Sequence, residues 1–148
     1  EVSSMIIART IELVEQTRPL LPGVNHALEL CRDQGLKIGL ASASPLFMLD
    51  TVLEMFNLHS FFKVRVSAEK LPYSKPHPEV YLLAAGELQV DPLNCVTLED
   101  SFNGMIATKA ARMRSVVVPD HEYSVDPRWA LADVKLSSLE ELRVAHIS

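Results

Sequence analysis

The sequence predicts an α/β fold with a parallel sheet, on three observations. Short apolar runs alternate with helical patterns along most of the chain, as in successive βαβ units. One such run, Asn94–Gly104, passes from Cys95, Val96 and Leu98 into the adjacent carboxylates Glu99 and Asp100, then into a small polar turn and a helical pattern. Other strand-like runs also end in small or polar turns, and right-handed crossovers put the carboxyl ends of parallel strands on one edge, where ligands of open α/β folds bind.

Taken in order, Ile7, Ile11 and Val14 fall at helical spacing and predict a first helix over Val2–Gln16, broken by Arg18–Gly23. Val24, Ala27, Leu28 and Cys31 give a second helix, with Gly35 as its left-handed terminator. Leu36–Ala41 is a short strand ending in Ser42-Ala43-Ser44-Pro45, where Ser44 can cap and Pro45 can open a third helix buried through Leu49, Val52, Leu53 and Phe56. A strand centred on Val64 and Val66 leads to a proline-bearing loop containing Lys75. A fourth helix follows, with Tyr81, Ala84, Ala85 and Leu88 inward. After the Asn94–Glu99 strand, a fifth helix is expected to bury Ile106, Ala110 and Met113. Ser115–Val118 is a further strand, Asp120–Trp129 a loop, and Asp133–Leu136 a short extended piece. Ser138–Glu141 reads as a capping box.

The 148 residues suit one domain, and 48% hydrophobic content supports a sizeable core. No apolar run approaches membrane-spanning length. A net charge of −5 with dispersed basic residues argues against a nucleic-acid surface. Cys31 and Cys95 lie far apart inside apolar patterns and read as reduced core thiols, so the expected compartment is the cytoplasm.

Glu99 and Asp100 at one strand end suit a hard cation such as magnesium, although Asp100 or Ser101 equally suits the cap of the next helix. With Ser42 and Lys75 on the same edge, the set describes a phosphate-and-magnesium site. The hydroxyl and nearby backbone N–H groups bind phosphate oxygens, and the ammonium offsets their charge. The order Leu36–Ser44, Lys75-Pro76 and Leu98–Ser101 with Gly104 resembles the second, third and fourth motifs of the haloacid dehalogenase-like hydrolases. Ala41–Pro45, Ala68–Tyr81 and Arg112–Pro119 resemble, more narrowly, bacterial sugar phosphatases acting on hexitol phosphates and 2-deoxyglucose 6-phosphate. The resemblance implies a Rossmann-like three-layer core, a helical cap, Mg2+ and an aspartyl-phosphate intermediate. It implies that Ser42 and Ala43 bind phosphate, that Lys75 orients nucleophile and phosphate, and that Asp100 binds the metal, with Glu99 binding it directly or through water. The partner implied is a small phosphorylated sugar or sugar alcohol, acted on by an enzyme that is monomeric when complete.

The departure is specific. The family's first motif, Asp-x-Asp at the end of its first strand, is nowhere in this sequence, so the nucleophile and the general acid/base are missing. The expected organisation is therefore residues 1–17 as the last helix of a cap and 18–148 as a core without its first strand. The resemblance puts that strand between the one ending at Ser42 and the one ending at Glu99, so a gap is expected there. A related phosphosugar mutase and a non-catalytic phosphate- or partner-binding protein are the alternatives.

Overall fold

The computed structural model describes residues 2–8, 23–119 and 123–147. Six parallel strands form one sheet: β1 (Ser4–Ala8), β2 (Lys37–Ser42), β3 (Val64–Ser67), β4 (Cys95–Glu99), β5 (Arg114–Val117) and β6 (Val134–Lys135), in the order β3-β2-β1-β4-β5-β6. The helices are α1 (Val24–Asp33), α2 (Leu46–Met55), α3 (Glu79–Leu88), α4 (Phe102–Ala110) and the short α5 (Val144–Ile147). The predicted α/β architecture and parallel sheet are observed.

The sheet is covered on both faces, as a parallel sheet must be. Met5, Ile38, Leu40, Val96 and Leu98 pack with α1 and α2 through Leu28, Cys31, Leu49 and Leu53. On the opposite face Ile6, Ala41, Val66 and Cys95 pack with α3 and α4 through Tyr81, Ala84, Leu88 and Ala107. The Met5/Ile6 alternation across the two cores is the period-2 signature of a strand.

That strand corrects the sequence expectation. Ser4–Ala8 is not the start of a helix over Val2–Gln16 but the central strand, and it fills the place where a gap was expected. Ser-Met-Ile-Ile-Ala is a short apolar run, and such runs fit a doubly buried strand as well as a helix turn. Pairing with β2 on one side and β4 on the other satisfies its backbone in a way an isolated helical turn could not. Ser4, fully buried, places its Oγ 2.9 Å from the Cys95 sulfur. The remaining residues of the expected cap helix lie outside the described residues.

Two further differences are local. Pro45, not Ser44, occupies the N-cap of α2, with no side-chain cap, and the Ser44 N–H is donated to Ser42 Oγ at 3.1 Å. Helix α4 turns Gly104, Met105, Ala107 and Thr108 inward and leaves Ala110 exposed and Ile106 42% exposed, against expectation, whereas Met113, just beyond the helix, is buried as expected. The phase of the helix is set in part by Ser101, which caps it by accepting from Gly104 N at 3.0 Å. The Ser138 capping box is present as expected.

At the far edge, Asp133 fastens β6 to β5 and α4, accepting from Ser115 N at 2.7 Å and Lys109 Nζ at 2.9 Å. Partial desolvation raises its pKa, but these donors outweigh it and hold the carboxyl below its ordinary value. A group depressed in this way stabilises the fold above its unfolded pKa of about 3.9 and loses that contribution as pH falls through the lowered folded value. Asp133→Asn should therefore melt below wild type at pH 7. Thermal melts recorded down to about pH 2 should show the difference close, and an unchanged gap there would rule out the linkage.

Candidate functional site

The strand registers bring the predicted residues to one edge. Ile7 pairs with Leu40 on one side and with Leu98 on the other, so Ser42 and Glu99 emerge on either side of the end of β1. They are two strands apart, a lateral separation of about 10 Å.

On the β2 side the chain makes a tight, pinned turn. Ser42 is 1% exposed, and its Oγ accepts the Ser44 N–H. The Ser44 carbonyl in turn accepts from Ser67 Oγ at 2.6 Å, locking the turn to the end of β3. Ala43 is exposed between these two buried serines. Helix α2 starts directly after Pro45 without a side-chain cap, so its first N–H groups have no intrahelical partner and favour an anion.

On the β4 side the structure joins residues that the sequence only suggested were near. Lys75 leaves the loop before α3, next to a cis peptide bond with Pro76, and its Nζ donates to Glu99 Oε2 at 3.1 Å. Tyr81 Oη donates to the same oxygen at 2.5 Å. The other oxygen, Oε1, accepts from Asp100 N at 2.9 Å, Ser101 N at 3.3 Å and Ser101 Oγ at 3.2 Å. Glu99 is thus a buried carboxylate held by five donors from three segments. Burial, joined by the negative charge of Glu99, pushes the Tyr81 phenol well above its ordinary pKa, so it stays a neutral donor.

Gly104 makes this packing possible. A Cβ at that position would stand 1.7 Å from Glu99 Oε2 and 1.9 Å from its Cδ. The sequence marks Gly104 as a motif residue, but its reason lies in this contact. Tyr81 was legible only as a buried aromatic; no spacing rule announces that its hydroxyl meets Glu99.

This arrangement bears on the cation. The inward-turned Glu99 carboxylate is committed to protein donors, which leaves Asp100 as the edge carboxylate. Among the described residues no group of three or more His, Cys, Asp and Glu side chains could hold a metal. The described donors therefore do not make a complete metal centre by themselves. Beside the site, Tyr73 and His77 stack at 4.8 Å and flank an open groove with Ser74, Lys75 and Ile106. Phe102, at the start of α4, stacks on Trp129 at 4.1 Å beneath the Arg128 guanidinium.

Residues 3–112 match the haloacid dehalogenase-like hydrolase family. The chain belongs to this hydrolase family. It is 68% identical to hexitol phosphatase B of Escherichia coli K12 over 142 residues, which cover 96% of the chain and 64% of that relative. The chain thus spans less than two thirds of the length of this curated relative. Among solved structures it resembles β-phosphoglucomutase from Clostridium difficile, with a TM-score of 0.77, 31% identity and coverage of 93% and 59% of the two chains. It also resembles CbbY from Rhodobacter sphaeroides in complex with phosphate, with a TM-score of 0.77, 31% identity and coverage of 86% and 58%. Among the described residues no helix is long and apolar enough to cross a membrane.

Proposed function

We propose that the chain is the C-terminal portion of a cytoplasmic, magnesium-dependent sugar-phosphate phosphatase, and that alone it lacks the groups that do the covalent chemistry. The observation that carries this reading is the Lys75 ammonium, fixed 3.1 Å from Glu99 at the carboxyl edge of a parallel sheet. In this reading Lys75 and the Ser42–Ala43 turn bind the phosphoryl oxygens from two sides, and Asp100 contributes to holding magnesium, which neutralises phosphoryl charge when bound. The hexitol phosphatase relative makes a phosphorylated sugar alcohol the first substrate to try. A complete, monomeric enzyme would add an aspartate that attacks phosphorus and a second acid that protonates the leaving alcohol.

Strand β1 supports the inactivity of the chain by itself. It occupies the central place at which the family's nucleophile is expected, and Ser-Met-Ile-Ile-Ala contains no acid. An Asp-bearing strand in that place would have to displace it.

Purified 1–148 with magnesium and a hexitol phosphate should release no inorganic phosphate above a blank. Turnover abolished by Asp100→Asn would overturn that expectation. In a longer protein carrying Asp-x-Asp, Asp100→Asn should lower phosphate release severely, and undiminished activity would remove Asp100 from the metal site. The likeness to a β-phosphoglucomutase makes isomerisation the second reading, and a phosphosugar isomer formed without phosphate release would favour it.

A further inference from the structure

We infer that Tyr81 is a positioning residue of the phosphate site, holding the Lys75 ammonium at the sheet edge through Glu99. The inference rests on reading Lys75 as the phosphate-binding cation and adds a residue to that site.

Three contacts carry it. Tyr81 Oη and Lys75 Nζ share a single acceptor, Glu99 Oε2, at 2.5 and 3.1 Å. The Lys75 ammonium also lies over the Tyr81 ring, 5.1 Å from its centroid. Tyr81 is itself fully buried on α3, so neither its ring nor its hydroxyl has freedom to move. The phenol is therefore placed to do two things. Its face attracts the ammonium, and its proton takes up part of the Oε2 charge that would otherwise bind Lys75 alone.

The second effect matters for ligand binding. An ammonium has three donors, and one is committed to Glu99. If Glu99 Oε2 had Lys75 as its sole side-chain donor, the ion pair would tighten. The ammonium would be drawn toward the buried carboxylate and away from an incoming phosphate. With Tyr81 sharing the oxygen, Lys75 is held in place but remains available. On helix α4 the buried Thr108 hydroxyl bonds Thr97 Oγ1 at 2.9 Å and donates to the Gly104 carbonyl at 2.9 Å, which fixes the helix turn that packs against Glu99.

Tyr81→Phe keeps the ring and deletes the shared donor. Titration of 1–148 with inorganic phosphate should show binding weakened about tenfold in Tyr81→Phe, the size expected for one hydrogen bond to a charged group. The decisive comparison repeats the substitution in a Lys75→Ala background, where a residue acting through Lys75 has nothing left to position and should change affinity no further. Equal losses in both backgrounds would mean a merely structural role and would overturn the inference.

A second readout needs no ligand: the 15Nζ and 1Hζ resonances of Lys75 should shift in Tyr81→Phe while remote amide signals stay put. If wild-type 1–148 shows no phosphate binding, the reading of the site fails, and the Lys75 resonance still decides whether Tyr81 positions the ammonium. Unmoved Lys75 signals would sink the inference. Should Tyr81→Phe not fold, 3-fluorotyrosine at position 81, a more acidic donor with ring and hydroxyl kept, must move the same resonance.

Discussion

Gly104→Ala is expected to destabilise the domain by about 2–4 kcal/mol, although alanine is the better helix former by about 1 kcal/mol. The two effects oppose each other, and their sizes decide the sign. Gly104 sits in the first turn of α4, where propensity alone would favour the substitution. Its Cβ, however, would have to occupy the space of the Glu99 carboxyl group, 1.7 Å from Oε2. The carboxylate cannot retreat, because it is 4% exposed and enclosed by Tyr81, Lys75 and the Asp100–Ser101 turn. Moving it strands a buried charge and several donors together, a change that costs about 3–5 kcal/mol. Urea denaturation would measure the loss. A control identifies the cause: in a Glu99→Ala background there is no carboxylate to collide with, and Gly104→Ala should become neutral or stabilising. Equal destabilisation in both backgrounds would show that the clash with Glu99 is not the source.

How far the sequence went toward this site follows from what each signal can encode. Strand ends are legible because an apolar run followed by a polar turn marks the place where a buried chain emerges. That is why Ser42, Glu99 and Asp100 were found on one edge. Lys75 was placed there by motif and loop position, and the structure adds its ion pair with Glu99. What periodicity does not encode is the direction of a carboxylate. Glu99 reads as holding the metal directly or through water beside Asp100, and only its five donors reveal that its carboxylate faces inward.

The face of α4 is only partly legible for a related reason. Ile106 and Ala110 are apolar, yet the helix turns Gly104 toward Glu99 and Thr108 toward Thr97, and the same phase buries Met105 and Ala107, so polar contacts act together with apolar burial in setting it. Strand β1 shows the limit of pattern itself. Ile7, Ile11 and Val14 fit a helix, while Met5 and Ile6 fit a strand buried on both faces. Within five residues the two patterns cannot be separated without knowing what lies on either side.

The largest expected effect belongs to that strand. Ile6→Asp should leave the chain without a cooperative fold. Ile6 is fully buried in the cluster with Val66, Ala84 and Ala107, so the substitution removes an apolar side chain and inserts a charge with no partner prepared for it. Loss of a buried isoleucine costs about 2–5 kcal/mol, and an unpaired buried charge costs several more. The sum is comparable to the roughly 5–15 kcal/mol by which domains of this kind are stable. Position in the sheet makes the damage general. Strand β1 supplies backbone partners to β2 and β4 at once, so expelling it exposes two facing edges in the middle of the sheet. It also uncovers Met5 from the first core and Ile6 from the second. Circular dichroism and size-exclusion chromatography of Ile6→Asp should show loss of the thermal transition and self-association. Val125→Asp, at a position 89% exposed, should behave as wild type and serves as the control for added charge. A monomeric Ile6→Asp protein melting within a few degrees of wild type would mean that the sheet does not depend on Ser4–Ala8 at its centre, and that β2 and β4 find their partners another way.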